Sequence, residues 1–145
     1  TDVREFIVHL IEGAGGPTPL PKLSFNAKLL LTGSTLKRIL GDISTVSDHI
    51  TIETTKDKAI FFGKSDAGTA SITLEKHSTE LLELDVKEDS KATYSIDYLQ
   101  KITKSAGSAS ETIIFEYSSK MPLRLEFKLG EQGGRIHFYL APRVE

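Results

Sequence analysis

Residues 23–46 read LSFNAKLLLTGSTLKRILGDISTV, and the apolar period changes within this stretch. From Leu23 to Leu31 apolar side chains recur at every second position, which predicts a strand. After a Gly-Ser pair, the apolar residues from Leu36 to Val46 recur at helical spacing, with Ser34 or Thr35 as the expected N-cap. A strand that passes directly into an amphipathic helix indicates a layered α+β fold.

The same order of elements occurs a second time along the chain. Three strands are predicted after the first helix, at residues 49–54, 59–64 and 69–76. Short strands at 81–86 and 92–94 then precede a second helix, which Ser95 caps and which carries Ile96, Leu99 and Ile102 on one face; three strands follow at 112–117, 123–129 and 135–140. A strand–helix–three-strand unit therefore repeats after roughly 60 residues. We expect an α+β fold of antiparallel β-sheets, with both helices on one face.

The first 22 residues are different in character. Residues 6–11 alternate in a way that predicts a strand covered on both faces. Residues 13–21 read GAGGPTPLP, and this composition excludes a helix or an interior strand. This segment is therefore predicted to be a connector.

Composition sets limits on the class of protein. The chain has 145 residues, of which 39% are hydrophobic and 26% charged, with a net charge of −2 and no cysteine. This balance is that of a globular domain, and the reducing interior of a cell is compatible with it. No apolar run approaches the ~20 residues of a membrane span. The net charge argues against a dedicated nucleic-acid-binding domain but permits a local basic face.

No constellation of residues indicates an enzyme. The four histidines, at positions 9, 49, 77 and 137, follow no metal-ligand spacing, so we interpret them as satisfied strand residues. Prolines directly after the Gly-rich segment exclude the helix that a phosphate loop requires. No serine lies in a Gly-x-Ser-x-Gly turn. We therefore expect no catalytic residue, no metal and no cofactor.

The polar faces of the two helices carry more information. Lys37 and Arg38 lie opposite the apolar stripe of the first helix, and Lys101 and Lys104 share a face of the second. For either helix alone, a solvated surface is the simpler interpretation. Because both helices are expected on one side of the sheet, the four cations together favour contact with phosphates without base reading.

Several segments resemble the carboxy-terminal half of the proliferating cell nuclear antigen family, the eukaryotic and archaeal sliding clamps. They are KMPLRLEFKL at 120–129, HFYLAPR at 137–143, ATYSIDYL at 92–99 and DAGTA at 66–70. The resemblance implies the DNA-clamp fold and a trimeric ring that encircles duplex DNA without reading its sequence. It implies a processivity factor for DNA replication and repair that has no enzymatic activity and needs no cofactor.

The resemblance also implies a division of the chain. Residues 1–11 resemble the last strand of the family's amino-terminal domain, residues 12–22 its interdomain connecting loop, and residues 23–145 its carboxy-terminal domain. The chain is thus similar to a clamp subunit that lacks its amino-terminal domain. The absence of an acidic tail favours an archaeal source. The location implied is intracellular: the cytoplasm and nucleoid of an archaeon, or the nucleus of a eukaryote.

Two further surfaces are implied by matching positions. Partner proteins insert a short peptide with aromatic and aliphatic anchors into a pocket, whose matching residues are Leu20, Pro21, Pro122, Tyr139, Ala141, Pro142 and Arg143. Subunits join edge to edge through a strand whose matching residues are Thr69, Ser71, Ile72, Thr73, Leu74, Glu75 and Lys76, paired with the neighbour's residues 3–11. A free strand edge is otherwise an aggregation site. We hypothesise that the chain either associates head to tail in this way or is a monomer with residues 3–11 frayed.

The partners implied are double-stranded DNA, other clamp subunits, and DNA polymerase, flap endonuclease, ligase and clamp loader through their peptides. No membrane is implied. Two alternatives remain open: a checkpoint-type clamp with other clients, and a peptide-binding module that does not act on DNA.

Overall fold

The computed structural model describes residues 5–10, 25–106, 112–129 and 134–143. Within them the chain forms ten strands and two helices, in the order predicted from the apolar periods. The strands are β1 (Glu5–Leu10), β2 (Ala27–Thr32), β3 (His49–Thr54), β4 (Lys58–Ser65), β5 (Gly68–Glu75), β6 (Leu81–Val86), β7 (Ser90–Ser95), β8 (Thr112–Tyr117), β9 (Leu123–Leu129) and β10 (Gly134–Leu140). The helices are α1 (Gly33–Ser44) and α2 (Ile96–Ala106).

The strands form two sheets, in agreement with the expected α+β fold of antiparallel sheets and two helices. One sheet has six strands in the order β1-β10-β9-β8-β2-β6, and the other has four in the order β5-β4-β3-β7. All pairings are antiparallel except that of β1, which lies parallel to β10. The division arises because β2 pairs with β8 and β7 pairs with β3. Each repeat therefore contributes the strand before its helix to the other repeat's sheet.

The internal repeat is visible in the pairing register. Thr32 is opposite Thr112 where β2 meets β8, and His49 is opposite Ser95 where β3 meets β7. An offset of 63 residues relates Thr32 to Ser95 and His49 to Thr112. The two repeats therefore exchange strands symmetrically, and the helices α1 and α2 that follow the exchanged strands pack against each other.

The N-terminus of α1 differs from the prediction by less than one turn. The N-cap is Thr32, whose Oγ1 accepts a hydrogen bond of 3.2 Å from the backbone N–H of Thr35. Neither Ser34 nor Thr35 is the cap, because Gly33 already begins the helix. At the other end α1 stops at Ser44, and Val46 lies in the turn beyond it. In α2 the predicted N-cap is confirmed, because Ser95 Oγ accepts a hydrogen bond from the Tyr98 N–H at 3.4 Å.

Among the described residues, neither helix has the length and apolar content needed to cross a membrane.

Two buried tyrosines connect the sheets within a single hydrophobic core. Tyr117 of β8 donates its hydroxyl toward the backbone carbonyls of Ile52 and Ser90, at 3.2 and 3.1 Å, and shares a 2.9 Å hydrogen bond with the Thr54 hydroxyl. Tyr94 of β7 donates to the Met121 carbonyl at 2.7 Å, and the two rings pack edge to face. These hydroxyls satisfy polar groups that would otherwise be costly to bury.

The buried tyrosines predict a loss of stability at alkaline pH. Burial raises the pKa of both phenols far above the ordinary value of 10, and at Tyr94 the neighbouring Tyr117 raises it further. Below pH ~10 both groups are neutral in the folded and unfolded chain, so the contribution is fully present. Above it the unfolded chain ionises first, and the free energy of unfolding should fall by up to ~1.4 kcal/mol per pH unit for each tyrosine.

Urea denaturation between pH 9 and 11 measures this slope. Tyr94→Phe should make the slope smaller than it is in the wild type. Equal slopes in the wild type and in Tyr94→Phe would contradict the prediction.

Candidate functional site

The exposed face of the helix pair carries the four cations expected to contact DNA. All four are exposed, so the predicted helix faces are confirmed as solvent-facing. Two of them are already paired with carboxylates: Arg38 forms an ion pair with Glu80, and Lys101 lies 3.1 Å from Asp97. Lys101 also lies 5.9 Å from the ring centroid of Tyr98.

These ion pairs divide the four cations into two classes. Within the described part of the chain, no ion pair involves Lys37 or Lys104, whereas Arg38 and Lys101 each have a partner. Asp97 lies one helical turn before Lys101 in the sequence, so that pair could be expected from spacing, whereas the pair with Glu80 could not. Glu80 lies 42 residues from Arg38 in the chain and only the fold brings them together. Any excess positive charge on this face therefore comes mainly from Lys37 and Lys104.

Strand β5, which contains the expected subunit contact, is the edge of the four-stranded sheet and pairs only with β4 among the described strands. Its outward side chains, Thr69, Ser71, Thr73 and Glu75, are exposed, and Ile72 is half-buried. Leu74 is 2% exposed, so its side chain packs in the core and only its backbone can take part in an edge contact. Lys76 lies beyond the strand and donates its backbone N–H to the Asp57 carbonyl at 2.9 Å.

The residues expected to form the peptide pocket lie at the ends of β9 and β10. Pro122, Tyr139, Ala141 and Pro142 are half-buried, and Arg143 is exposed. Leu20 and Pro21 are outside the described residues. Pro142 and Arg143 line a groove of about 550 Å³ beside β7, and the other described members of the set do not line it.

A polar cluster that sequence reasoning missed lies next to Tyr139 on the outer face of the six-stranded sheet. Its centre is Arg124 of β9, whose Nε donates to the Tyr139 hydroxyl oxygen at 3.2 Å. The guanidinium also donates to Glu116 Oε1 at 2.6 Å and to Glu126 Oε1 at 3.0 Å. Its Nη2 contacts His137 Nδ1. Burial lowers the pKa of Arg124, but the bond to Tyr139 and the two carboxylates outweigh this, and the pKa is raised overall.

The cluster assigns the tautomer of His137. A guanidinium can only donate, so Nδ1 of His137 must accept and the ring proton lies on Nε2. Nε2 lies 3.4 Å from Glu126 Oε1, but this pair does not meet hydrogen-bond geometry. The position of His137 in β10 and its contact with Arg124 are those of a structural strand residue. Sequence alternation could not have identified the cluster, because charged residues at outward strand positions are also the pattern of an ordinary solvated sheet face.

A metal centre has no support in the described ranges, since no group of three or more His, Asp or Glu side chains there is placed to hold an ion. The arrangement offers three surfaces instead: a helix face with the two lysines Lys37 and Lys104, a strand edge at β5, and a Tyr- and Pro-containing end of the six-stranded sheet.

Comparison with known proteins assigns the chain to a protein family. Residues 19–143 match the family model of the proliferating cell nuclear antigen, C-terminal domain. The chain belongs to this family. Proliferating cell nuclear antigen (PCNA) from Thermococcus kodakaraensis has a similar crystal structure, with a TM-score of 0.79 at 26% identity over 91% of this chain and 53% of that one. The α+β clamp fold expected from the sequence is therefore confirmed.

Curated members of the PCNA family show the same relationship. The DNA polymerase sliding clamp of Nitrosopumilus maritimus is 45% identical over 142 residues, which are 98% of this chain and 57% of that protein. The DNA polymerase sliding clamp of Pyrococcus furiosus is 34% identical over 145 residues, 100% of this chain and 57% of that protein. The chain thus spans just over half the length of these archaeal relatives.

Proposed function

We propose that the chain is the carboxy-terminal part of a DNA sliding clamp, which encircles duplex DNA as a trimeric ring and docks replication and repair proteins through a peptide pocket. The observation that carries this proposal is the match of residues 19–143 to the PCNA family, together with relatives named DNA polymerase sliding clamps. In this proposal residues 1–11, 12–22 and 23–145 are the last strand of a preceding domain, the connecting loop and the carboxy-terminal domain.

The geometry of the helix pair supports a DNA-facing role. α1 and α2 pack side by side and present Lys37, Arg38, Lys101 and Lys104 to solvent. Long cations without interleaved base-reading groups suit phosphate contact that is independent of sequence. Gly41 is exposed on the same helix, and a Cβ there would meet no atom within 4 Å.

The edge of β5 supports ring assembly. An unpaired edge exposes backbone donors and acceptors that a strand of another subunit can satisfy. In this chain β1 lies parallel to β10 rather than on β5, so the β5 edge stays available. In the assembled clamp we propose that residues 3–11 of one subunit pair with β5 of the next.

Unequal contributions of the four cations provide the test of the DNA-facing role. In a clamp assembled from complete subunits, Lys37→Ala combined with Lys104→Ala should shorten the DNA synthesised per binding event. It should reduce the slope of log affinity against log salt by up to ~0.9 for each phosphate that a subunit no longer neutralises. Arg38→Ala combined with Lys101→Ala should have a smaller effect, because Glu80 and Asp97 already offset those charges.

The matched pair of double variants removes the same charge from the same face. Unchanged processivity and unchanged salt dependence in both would exclude a DNA-facing role. That result would favour the alternative of a peptide-binding module that does not act on DNA.

A further inference from the structure

The groove beside β7, here called the cationic groove, has an unusual composition. Its volume is about 550 Å³, and its lining includes Lys91, Thr93, Ser119, Lys120, Pro142 and Arg143. Three of these residues are cationic and all three are exposed, whereas none of the lining residues carries a carboxylate. In a chain with a net charge of −2, this is a local concentration of positive charge.

The positive charge continues onto the adjacent sheet face. A second groove of about 400 Å³ shares Thr93 and Arg143 with the first and adds Lys64 and His49, again without a carboxylate in its lining. Opposing charges lie at the borders of the two grooves. Glu53, half-buried, is opposite Lys91 across the β3–β7 pair, and Asp48 and Asp97 line a third groove that includes Arg143. The linings of the first two grooves contain cations and no carboxylate. The field in the groove therefore favours an anion.

The groove is preformed by hydrogen bonds between its walls. The backbone N–H of Arg143 donates to the Thr93 carbonyl at 2.7 Å, which ties the chain end to the edge of β7. The Lys91 N–H donates to Ser119 Oγ at 2.9 Å, and Lys91 Nζ lies 5.8 Å from the ring centroid of Phe62. The backbone of the groove walls is therefore already in place before a partner binds, so the cost of binding is mainly the ordering of the exposed cationic side chains.

The cationic groove is continuous with the proposed peptide pocket, since Pro142 and Arg143 belong to both. A client peptide anchored near Tyr139 and Ala141 and running past Pro142 enters the groove. We propose that this clamp selects client peptides whose anchor segment is flanked by acidic residues, which lie in the cationic groove. The inference rests on the proposed peptide docking and adds the chemistry of the partner.

Two synthetic peptides test the inference on this chain. They share the same aliphatic and aromatic anchors and differ in one flank, Glu-Glu-Glu in one and Lys-Lys-Lys in the other. Because exposed ion pairs contribute modestly, the acidic peptide should bind roughly tenfold more tightly at low ionic strength. The difference should shrink towards none near 1 M salt, where the screening length is about 3 Å.

Charge reversal in the groove should reverse the preference. Lys91→Glu combined with Lys120→Glu should favour the basic flank, whereas Lys56→Glu combined with Lys87→Glu, with the same change in net charge at exposed positions outside both grooves, should keep the acidic preference. Equal affinity of the wild type for both peptides would overturn the inference while leaving peptide docking intact. Failure of both peptides to bind would count against the docking itself. A groove-reversal variant that loses affinity for an oligonucleotide, with no effect of the flank, would assign the groove to phosphates instead.

Discussion

Replacing Gly63 by valine is expected to lower the free energy of unfolding by about 3 kcal/mol or more, the upper part of the range for overpacked cores. Gly63 lies in β4 beneath the end of α1. A Cβ there would stand 2.6 Å from Ile43 Cγ2, 2.9 Å from Ser47 Cβ and 3.1 Å from the His49 carbonyl oxygen. None of these atoms is the free end of a flexible side chain. The helix end would have to shift away from the sheet.

Gly41 provides the matched control for this prediction. It lies in α1, where a Cβ would meet no atom within 4 Å, so Gly41→Ala should stabilise the chain by about 0.5–1 kcal/mol through helix propensity. Urea denaturation of the two variants should therefore show shifts of opposite sign. A Gly63→Val variant with wild-type stability would mean that α1 does not approach β4 as closely as described.

Arg124→Met is expected to be the second large effect, with a loss of about 3 kcal/mol. The substitution leaves Glu126, which is 6% exposed, without the cation that donates to it, and it removes the donor to Glu116 as well. An uncompensated buried carboxylate is far more costly than the net value of the pair. Tyr139 also loses the donor that holds its hydroxyl, so affinity for a client peptide should fall in the same variant.

Two further variants separate the effect on stability from the effect on peptide affinity. Arg38→Met breaks an exposed pair and should change stability by less than about 0.5 kcal/mol. Adding Glu126→Gln to Arg124→Met removes the buried charge and should restore part of the stability without restoring peptide affinity. If Arg124→Met and Arg38→Met were equally stable, the cluster would not be the buried network described.

The sequence predicted the elements well because each period is local. The bounds of β3, β6, β8 and β9 agree with the prediction residue for residue, since alternation of apolar side chains within a strand reports its buried face directly. The predicted N-cap of α1 was wrong because Thr32, Ser34 and Thr35 are all good caps by residue type. Backbone conformation, extended at Thr32, selects among them.

Which strand pairs with which could not be predicted in the same way. Alternation states which side chains of a strand face the core, but not which strand lies beside it. The exchange of β2 and β7 between repeats and the parallel pairing of β1 with β10 follow from tertiary packing alone. For the same reason the sequence predicted antiparallel sheets but not how the ten strands divide between them.

By itself, the sequence determined the repeat, the apolar faces, the exposure of the helix cations and the family. Tertiary structure alone decided which charges from different elements lie together. Arg38 pairs with Glu80 from a distant segment, Arg124 contacts groups on three strands, and Lys91, Lys120 and Arg143 line one groove. The physical reason is that Coulomb and hydrogen-bond energies depend on separations of a few ångströms in space. Sequence spacing predicts such separations within one helix or strand, but not between them.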